Sequence, residues 1–432
     1  MGGGSTPGSS EKPRNLRIAI VGAGLVGSAA VLALSKLPDV EITAFEKAPA
    51  AREAGAWISL TVTGLKVLNK LVPPTEIEEI SYRPPDRAVY VTRHWRTGQD
   101  LVRRYSSDHI REDTVQARTH REPLLKLLVK HHAEGIVKYG RKVVDVEDGP
   151  GGAELYFDDG QTLDGFDLVV AADGIYSSLR RKFWPEHRVA FKGAVAYRNV
   201  FPKSLVEGIE GLHDDSSAWR KDGEVVFLSE LGLDKYGVVI IRGESEEYAS
   251  KLKWEHPVGP EDLQRLRDIY KDWDPVISRV LDVVKDIQAY PLDSGPWLRE
   301  LTRNDRVAFI GDAAHPTAGA YGAGAAMGFG DGWALYRALQ ATRTREGPVP
   351  GRYNVPAALR VFQEARAPFL LRVESQMALD VEDSKFVAAA REDEVEWIRR
   401  FKERNPENQW LTEHNVELEV QKAIMGQPRL PA

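Results

Sequence analysis

Three short apolar runs constrain this chain more than anything else in it. "LRIAIVGAG" begins at Leu16, "FDLVVAADG" at Phe166 and "DRVAFIGDAAH" at Asp305, and each exits through glycine or aspartate. They are continuous rather than alternating in polarity, the pattern of strands buried on both faces of a parallel sheet. Parallel strands need crossover connections, so an α/β fold is expected, built from segments far apart in the chain. Between the second and third runs the texture changes. "GEVVFLSEL" and "YGVVIIRGE" mix apolar and polar positions and suit an antiparallel sheet. The expected organisation is a flexible tail over 1–15 and a first unit made of 16–181 and 302–355. A second unit, 182–301, is inserted into it, and a charged helical region covers 356–432, where helix-like spacing surrounds one proline.

Composition narrows the possible functions. A chain of 432 residues is too long for one ordinary core. Its 42% hydrophobic and 28% charged residues are those of a globular protein in water. A net charge of −6 gives no electrostatic footprint for nucleic acid. No apolar run approaches the roughly 20 residues that span a bilayer, and the start, "MGGGSTPGSSEKPRN", lacks the apolar segment of a secretory signal. Cysteine is absent, which excludes disulfides, thiolate metal ligands, cysteine nucleophiles and a cysteinyl cofactor link. A cytoplasmic address fits these features. His131 and His132 diverge by roughly 100° on a helix, which argues against a shared metal.

"RIAIVGAGLVGSAAVLALSKL" places Gly22, Gly24 and Gly27 in G-x-G-x-x-G spacing, after a strand and opening a helix. The first glycine permits the tight turn, the second admits a pyrophosphate to the backbone, and the third lets helix and strand pack closely. The helix N-terminus then offers N–H groups and a partial positive charge to the phosphates. "EITAFEKA" supplies a second strand ending at Glu46, whose carboxylate suits an adenosine ribose. This motif alone leaves FAD and NAD both open.

The other two strand ends add "DLVVAADGIYSSLRR", with Asp173-Gly174, and "GDAAHP" over 311–316. With the N-terminal fingerprint, their order and spacing from about Leu16 to Arg372 resemble those of the FAD-dependent aromatic hydroxylases, the single-component flavoprotein monooxygenases that include salicylate and p-hydroxybenzoate hydroxylases. The resemblance implies a Rossmann-like FAD-binding domain (16–181 and 302–355), an inserted, mainly antiparallel substrate-binding domain (182–301) and C-terminal helices. It places Asp173 in the FAD site and Asp312 on the ribityl chain. It also brings the start of the next helix, with Gly322, Gly324 and Ala325 of "YGAGAA", to the flavin ring. Backbone N–H groups there would stabilise the charge of reduced flavin, and small residues would let the ring approach. His315, beside a proline at a strand exit, reads as structural. Arg121 in "ARTHREPLLKLL" stands where family members carry an arginine that serves the flavin. Gly55 and Ala56 in "REAGAWISL" would lie along the flavin edge, although Trp57 replaces a usual glycine.

"FKGAVAYRNVF" resembles the family strand that aims an arginine at the space above the flavin, so Arg198 is the candidate catalytic residue, with a structural ion pair as its alternative. No tyrosine stands at the equivalent of a later family strand, "VVFLSELG". The implied activity is a monooxygenase with non-covalent FAD, NADH or NADPH as transient co-substrate, O2, and a small aromatic substrate oxidised through a flavin C4a-hydroperoxide. Two alternatives remain: a reductase or halogenase of the same fold, and a flavin-less regulatory binding protein of related fold.

Overall fold

The computed structural model describes residues 15–52, 57–253, 255–344, 352–404 and 409–426. The three apolar runs lie side by side in a six-stranded sheet of order Thr302–Arg303, Val307–Phe309, Leu168–Ala171, Leu16–Val21, Val40–Glu46, Val137–Tyr139. All neighbours are parallel except the Thr302–Arg303 edge strand. Ile18 pairs with Leu168, and Ala171 with Phe309. Ile18, Ile20, Val169, Val170 and Ala308 are fully buried. Burying each large side chain contributes about 1.5–3 kcal/mol, which is why the runs read as continuous apolar stretches.

The second sheet has eight strands in the order His256–Pro257, Gln288–Ser294, Ala190–Pro202, Lys235–Gly243, Glu224–Gly232, Ser217–Lys221, Ala88–His94, Asp100–Tyr105. It is antiparallel apart from the pairing of Ser217–Lys221 with Ala88–His94. The last two strands come from the 16–181 stretch, upstream of the expected insertion, and complete its sheet. One face of this sheet carries Val195, Tyr197, Val226, Val238 and Ile240 and packs on the helices Pro260–Tyr270 and Pro275–Val283. The C-terminal region is helical, led by Val355–Ala388, which continues through Pro368.

Several glycines of the 311–332 segment serve packing inside the protein. The Gly324–Ala341 helix crosses the Leu25–Leu34 helix closely enough that a Cβ on Gly328 would lie 2.5 Å from Val26 Cγ2. A Cβ on Gly332 would sit 3.3 Å from Ala30. Inside an isolated helix, Gly→Ala gains about 1 kcal/mol. Here the clash should outweigh that gain, so Gly328→Ala is expected to destabilise the protein by about 1–3 kcal/mol. The double variant with Val26→Ala should recover part of the loss in a thermal melt. A Gly328→Ala protein as stable as wild type would refute the contact as the reason for glycine.

Candidate active site

The C-terminal ends of the three central parallel strands open side by side, delivering Gly22–Gly27, Asp173–Gly174 and Gly311–Asp312 to one edge of the sheet. In open α/β sheets this is where ligands bind. Gly22 has φ +95°, and a Cβ there would meet the Ala172 carbonyl at 2.4 Å. A Cβ on Gly27 would lie 1.9 Å from the Gly22 carbonyl oxygen. Gly24 is the N-cap of the Leu25–Leu34 helix and supplies no side-chain cap, so the helix start is left for an anion. The Glu46 carboxylate accepts hydrogen bonds from Ala23 N and Ala48 N, both at 2.8 Å, and fixes the mouth of the glycine turn.

Asp173 accepts from Ser178 N at 2.8 Å through Oδ2, at the start of the Ser178–Phe183 helix that Ser177 caps. Burial pushes its carboxyl up against these hydrogen bonds. Its Oδ1 is buried without a partner among the described residues. Arg180, which sequence reasoning missed, is 1% exposed and donates through Nη1 to the carbonyls of Asp312 (2.9 Å) and Ala313 (3.1 Å). Through Nη2 it donates to the Ile175 carbonyl. It ties the Asp173 turn to the Gly311–Ala313 turn and leaves the Asp312 side chain exposed at the sheet edge. Its signal was the first basic position after the Asp-Gly pair.

Beyond this turn, Ala318 (φ +51°), Gly319 (+82°), Tyr321 (+56°) and Gly322 (+60°) all take left-handed backbone. For Ala318 and Tyr321 this is strain of about 1–3 kcal/mol each, of the kind that collects at functional sites. The Tyr321 hydroxyl is anchored to Asp380 of the long C-terminal helix. A Cβ on exposed Gly322 would lie 3.1 Å from Ser59 Oγ, and one on Gly324 2.9 Å from Thr317 Oγ1. The Gly324–Ala341 helix starts here with neither a side-chain cap nor an acidic residue in its first turn, and Ala325 is half-buried beside it. Two helix N-termini therefore present uncapped N–H groups at this edge. They fit a dinucleotide with phosphates at one and a reducible ring at the other. Gly55 and Ala56 lie outside the described residues.

Behind the site, Asp331 is 1% exposed and gathers three donors. Oδ2 takes Gly311 N (2.9 Å) and His315 Nε2 (2.6 Å), and Oδ1 takes Arg366 Nε (2.8 Å). Burial alone would raise this carboxyl; His315 and Arg366 outweigh it and hold it down at about 2. His315 faces inward, away from any ligand at the sheet edge. His131 and His132 diverge, to Glu76 and to the Ser28 carbonyl.

Arg121 opens the Arg121–Lys130 helix. Arg198 sits on the Ala190–Pro202 strand, opposite Val239, with its guanidinium 5.0 Å from the centre of the Tyr290 ring. Burial and the nearby Arg121 charge lower it to about 10, so it stays cationic at neutral pH. Among the described residues no carboxylate within 4.0 Å pairs with it, so the alternative of a structural ion pair finds no partner. Tyr290, two positions along the neighbouring strand from the partner of Arg198, was also missed.

The Asp331 cluster has a defined pH signature. A folded-state pKa below the ordinary carboxylate value adds stability that is complete above about pH 4 and is lost as pH falls toward about 2. Asp331→Asn should cost about 3–5 kcal/mol at neutral pH, since Arg366 is left as a buried charge without its partner. In thermal melts the gap between wild type and variant should narrow from pH 4 to pH 2. A gap that is constant over this range would show that the carboxylate charge is not the source.

No protein-family model matches the chain. It is 29% identical to salicylate hydroxylase of Pseudomonas putida over 384 residues, 83% of this chain and 84% of that protein. To 6-hydroxynicotinate 3-monooxygenase of Bordetella bronchiseptica it is 24% identical over 362 residues, 83% of this chain and 89% of the relative. Its fold is similar to that of Klebsiella pneumoniae HpxO, solved with FAD and uric acid, at a TM-score of 0.71 and 19% identity over 95% of this chain and 96% of the other. In sequence the chain is similar to these aromatic monooxygenases, and it shares the fold of an enzyme solved with FAD.

Proposed function

We propose that this protein is an FAD-dependent monooxygenase that hydroxylates a small aromatic substrate, with NADH or NADPH as reductant. The observation that carries the reading is the convergence on one sheet edge of the Gly22–Gly27 turn, the Asp173 turn and the exposed Asp312, backed by two uncapped helix starts. FAD, when bound and reduced, supplies the oxygen-transfer chemistry; the chain supplies position and charge. The N-terminus of the Leu25–Leu34 helix would take the pyrophosphate and Glu46 the adenosine ribose. Asp312 would hold the ribityl chain, and Asp173 and Arg121 would complete the cradle. Gly322, Gly324 and Ala325 bring backbone N–H groups to the ring, where a helix start favours negative charge. The six-stranded parallel part forms the cofactor domain and the eight-stranded sheet the substrate wall.

Arg198 is the proposed catalytic residue. A half-buried cation with no carboxylate of its own among the described residues, resting on the Tyr290 ring, is suited to orient an anionic or hydrogen-bonding substrate. The protein is expected to bind FAD and to oxidise NAD(P)H faster with aromatics from a panel of salicylates and hydroxypyridines, giving a product heavier by one oxygen. Colourless protein that takes up no FAD would sink the reading. Arg198→Ala should keep consuming NAD(P)H while hydrogen peroxide replaces hydroxylated product, because the substrate is no longer held in reach. The check is peroxide formed per NAD(P)H oxidised, together with a melt. An unchanged ratio removes Arg198 from the site.

A further inference from the structure

The turn that leads into the Gly324–Ala341 helix is held by a residue far along the chain. Four of the five residues from Ala318 to Gly322 take left-handed backbone, and two of these, Ala318 and Tyr321, carry a Cβ. Such residues return to negative φ unless their surroundings over-determine them. Both ends of the segment are fixed. At its start the Pro316 carbonyl accepts from Ser294 Oγ (2.7 Å) and Trp297 Nε1 (3.1 Å). At its end the helix begins and packs on the Leu25–Leu34 helix. Its own middle is joined by longer bonds, Gly322 N to the Gly319 carbonyl at 3.2 Å and Ala323 N to the Ala320 carbonyl at 3.4 Å.

The Tyr321 side chain adds the missing constraint. Its half-buried ring packs against the main core, and its hydroxyl donates to Asp380 Oδ2. Asp380 is itself oriented, since Oδ1 accepts from Gln376 Nε2 at 2.8 Å, one turn earlier on the same helix. Burial and the Asp380 charge push the Tyr321 phenol well above its ordinary range, so it is a donor at neutral pH.

The helix that bears Asp380 spans two anchorages. Leu359, Phe362, Leu370 and Val373 belong to the core around the six-stranded sheet. Val387 instead joins Ala390, Trp397 and Leu101 of the edge strand Asp100–Tyr105. Between them a cavity of about 420 Å³ lies beside the helix, lined by Gly223 of a hairpin turn and by Asp380, Val381 and Ser384. Leu379 and Val381, the chain neighbours of Asp380, are exposed. Apolar packing is thus thin along this stretch, and Asp380 is where it meets the strained turn.

We propose that Asp380 is a positioning residue for the flavin: through the Tyr321 hydroxyl it keeps the 318–322 turn left-handed, and so keeps the first N–H groups of the Gly324–Ala341 helix aimed at the ring. This rests on the reading that places the ring at that helix start. Those N–H groups favour negative charge, which the ring gains on reduction. A relaxed turn therefore weakens binding of the reduced cofactor more than that of the oxidised one.

The test is the midpoint potential of the flavin in the FAD-loaded full chain, measured by dye equilibration without oxygen. Tyr321→Phe removes one oxygen and keeps the ring; Asp380→Ala removes the acceptor. Each should shift the ratio of reduced to oxidised FAD binding about tenfold against the reduced form, a potential lower by about 30 mV for a two-electron couple. The double variant should match the single ones, because all three break the same link. Asp380→Asn loses the same charge as Asp380→Ala but keeps an acceptor, so its potential should lie nearer wild type. Unchanged or raised potentials in Tyr321→Phe and Asp380→Ala, whatever their melting temperatures, would reduce the link to a structural one and overturn the inference. Additive shifts in the double variant, or an Asp380→Asn potential as low as that of Asp380→Ala, would also count against it. Should Asp380→Ala not fold, Tyr321→Phe carries the test, and a Tyr321→Phe protein that does not fold assigns the link to the fold alone. Failure of the wild type to take up FAD, seen in its absorbance before any potential is measured, is a failure of the earlier reading instead.

Discussion

The Asp331 carboxylate holds the Gly311 backbone, the His315 ring and the Arg366 guanidinium at one point inside the protein. Three elements that share little sequence are thereby fixed to one another: the turn after the third parallel strand, the Gly324–Ala341 helix and the long C-terminal helix. The ligand edge depends on this arrangement, because the turn that Asp331 grips from behind is the one that Arg180 grips from the side. With its main chain held at both points, that turn can present Asp312 outward on a rigid base. Burying an acid is unfavourable, and here the Arg366 cation, the His315 ring nitrogen and a backbone N–H more than offset it.

Another buried arginine is paired in the ordinary way. Arg93, 3% exposed, lies between Asp100 (2.5 Å) and Asp215 (2.6 Å) and is electrically complete. Among the described residues Arg118 and Arg198 have no such carboxylate partner. Together they give the space between the two sheets a positive character that the net charge of −6 conceals.

The parallel core was legible because its cues are local. Continuous apolar runs, glycine spacing and the carboxylate of Glu46 can each be read within a few residues. The sharing of glycine between ligand and fold was not legible: Gly328 and Gly332 face Val26 and Ala30, some 300 positions earlier in the chain. Asp331 left a clue, the one carboxylate in "AAMGFGDGWALYRAL", but its partner Arg366 lies on another helix. Strands Ala88–His94 and Asp100–Tyr105 are short and mixed in polarity, and what assigns them to the second sheet is the pairing of Ala88–His94 with Ser217–Lys221. Arg118 reads in sequence as one more basic residue before a helix. Only burial distinguishes it.

The order of the strands bears on how the protein is made. Leu16–Val21 emerges first, yet its neighbour on one side is Leu168–Ala171, which in turn waits for Val307–Phe309. The strained segment around Tyr321 is not pinned until Asp380 has been synthesised, nor is Asp331 neutralised before Arg366. The parallel core is thus held open through most of translation, with its most apolar strands unpaired, a topology that folds slowly and invites aggregation. The ligand edge is therefore complete only once the Val355–Ala388 helix has been made.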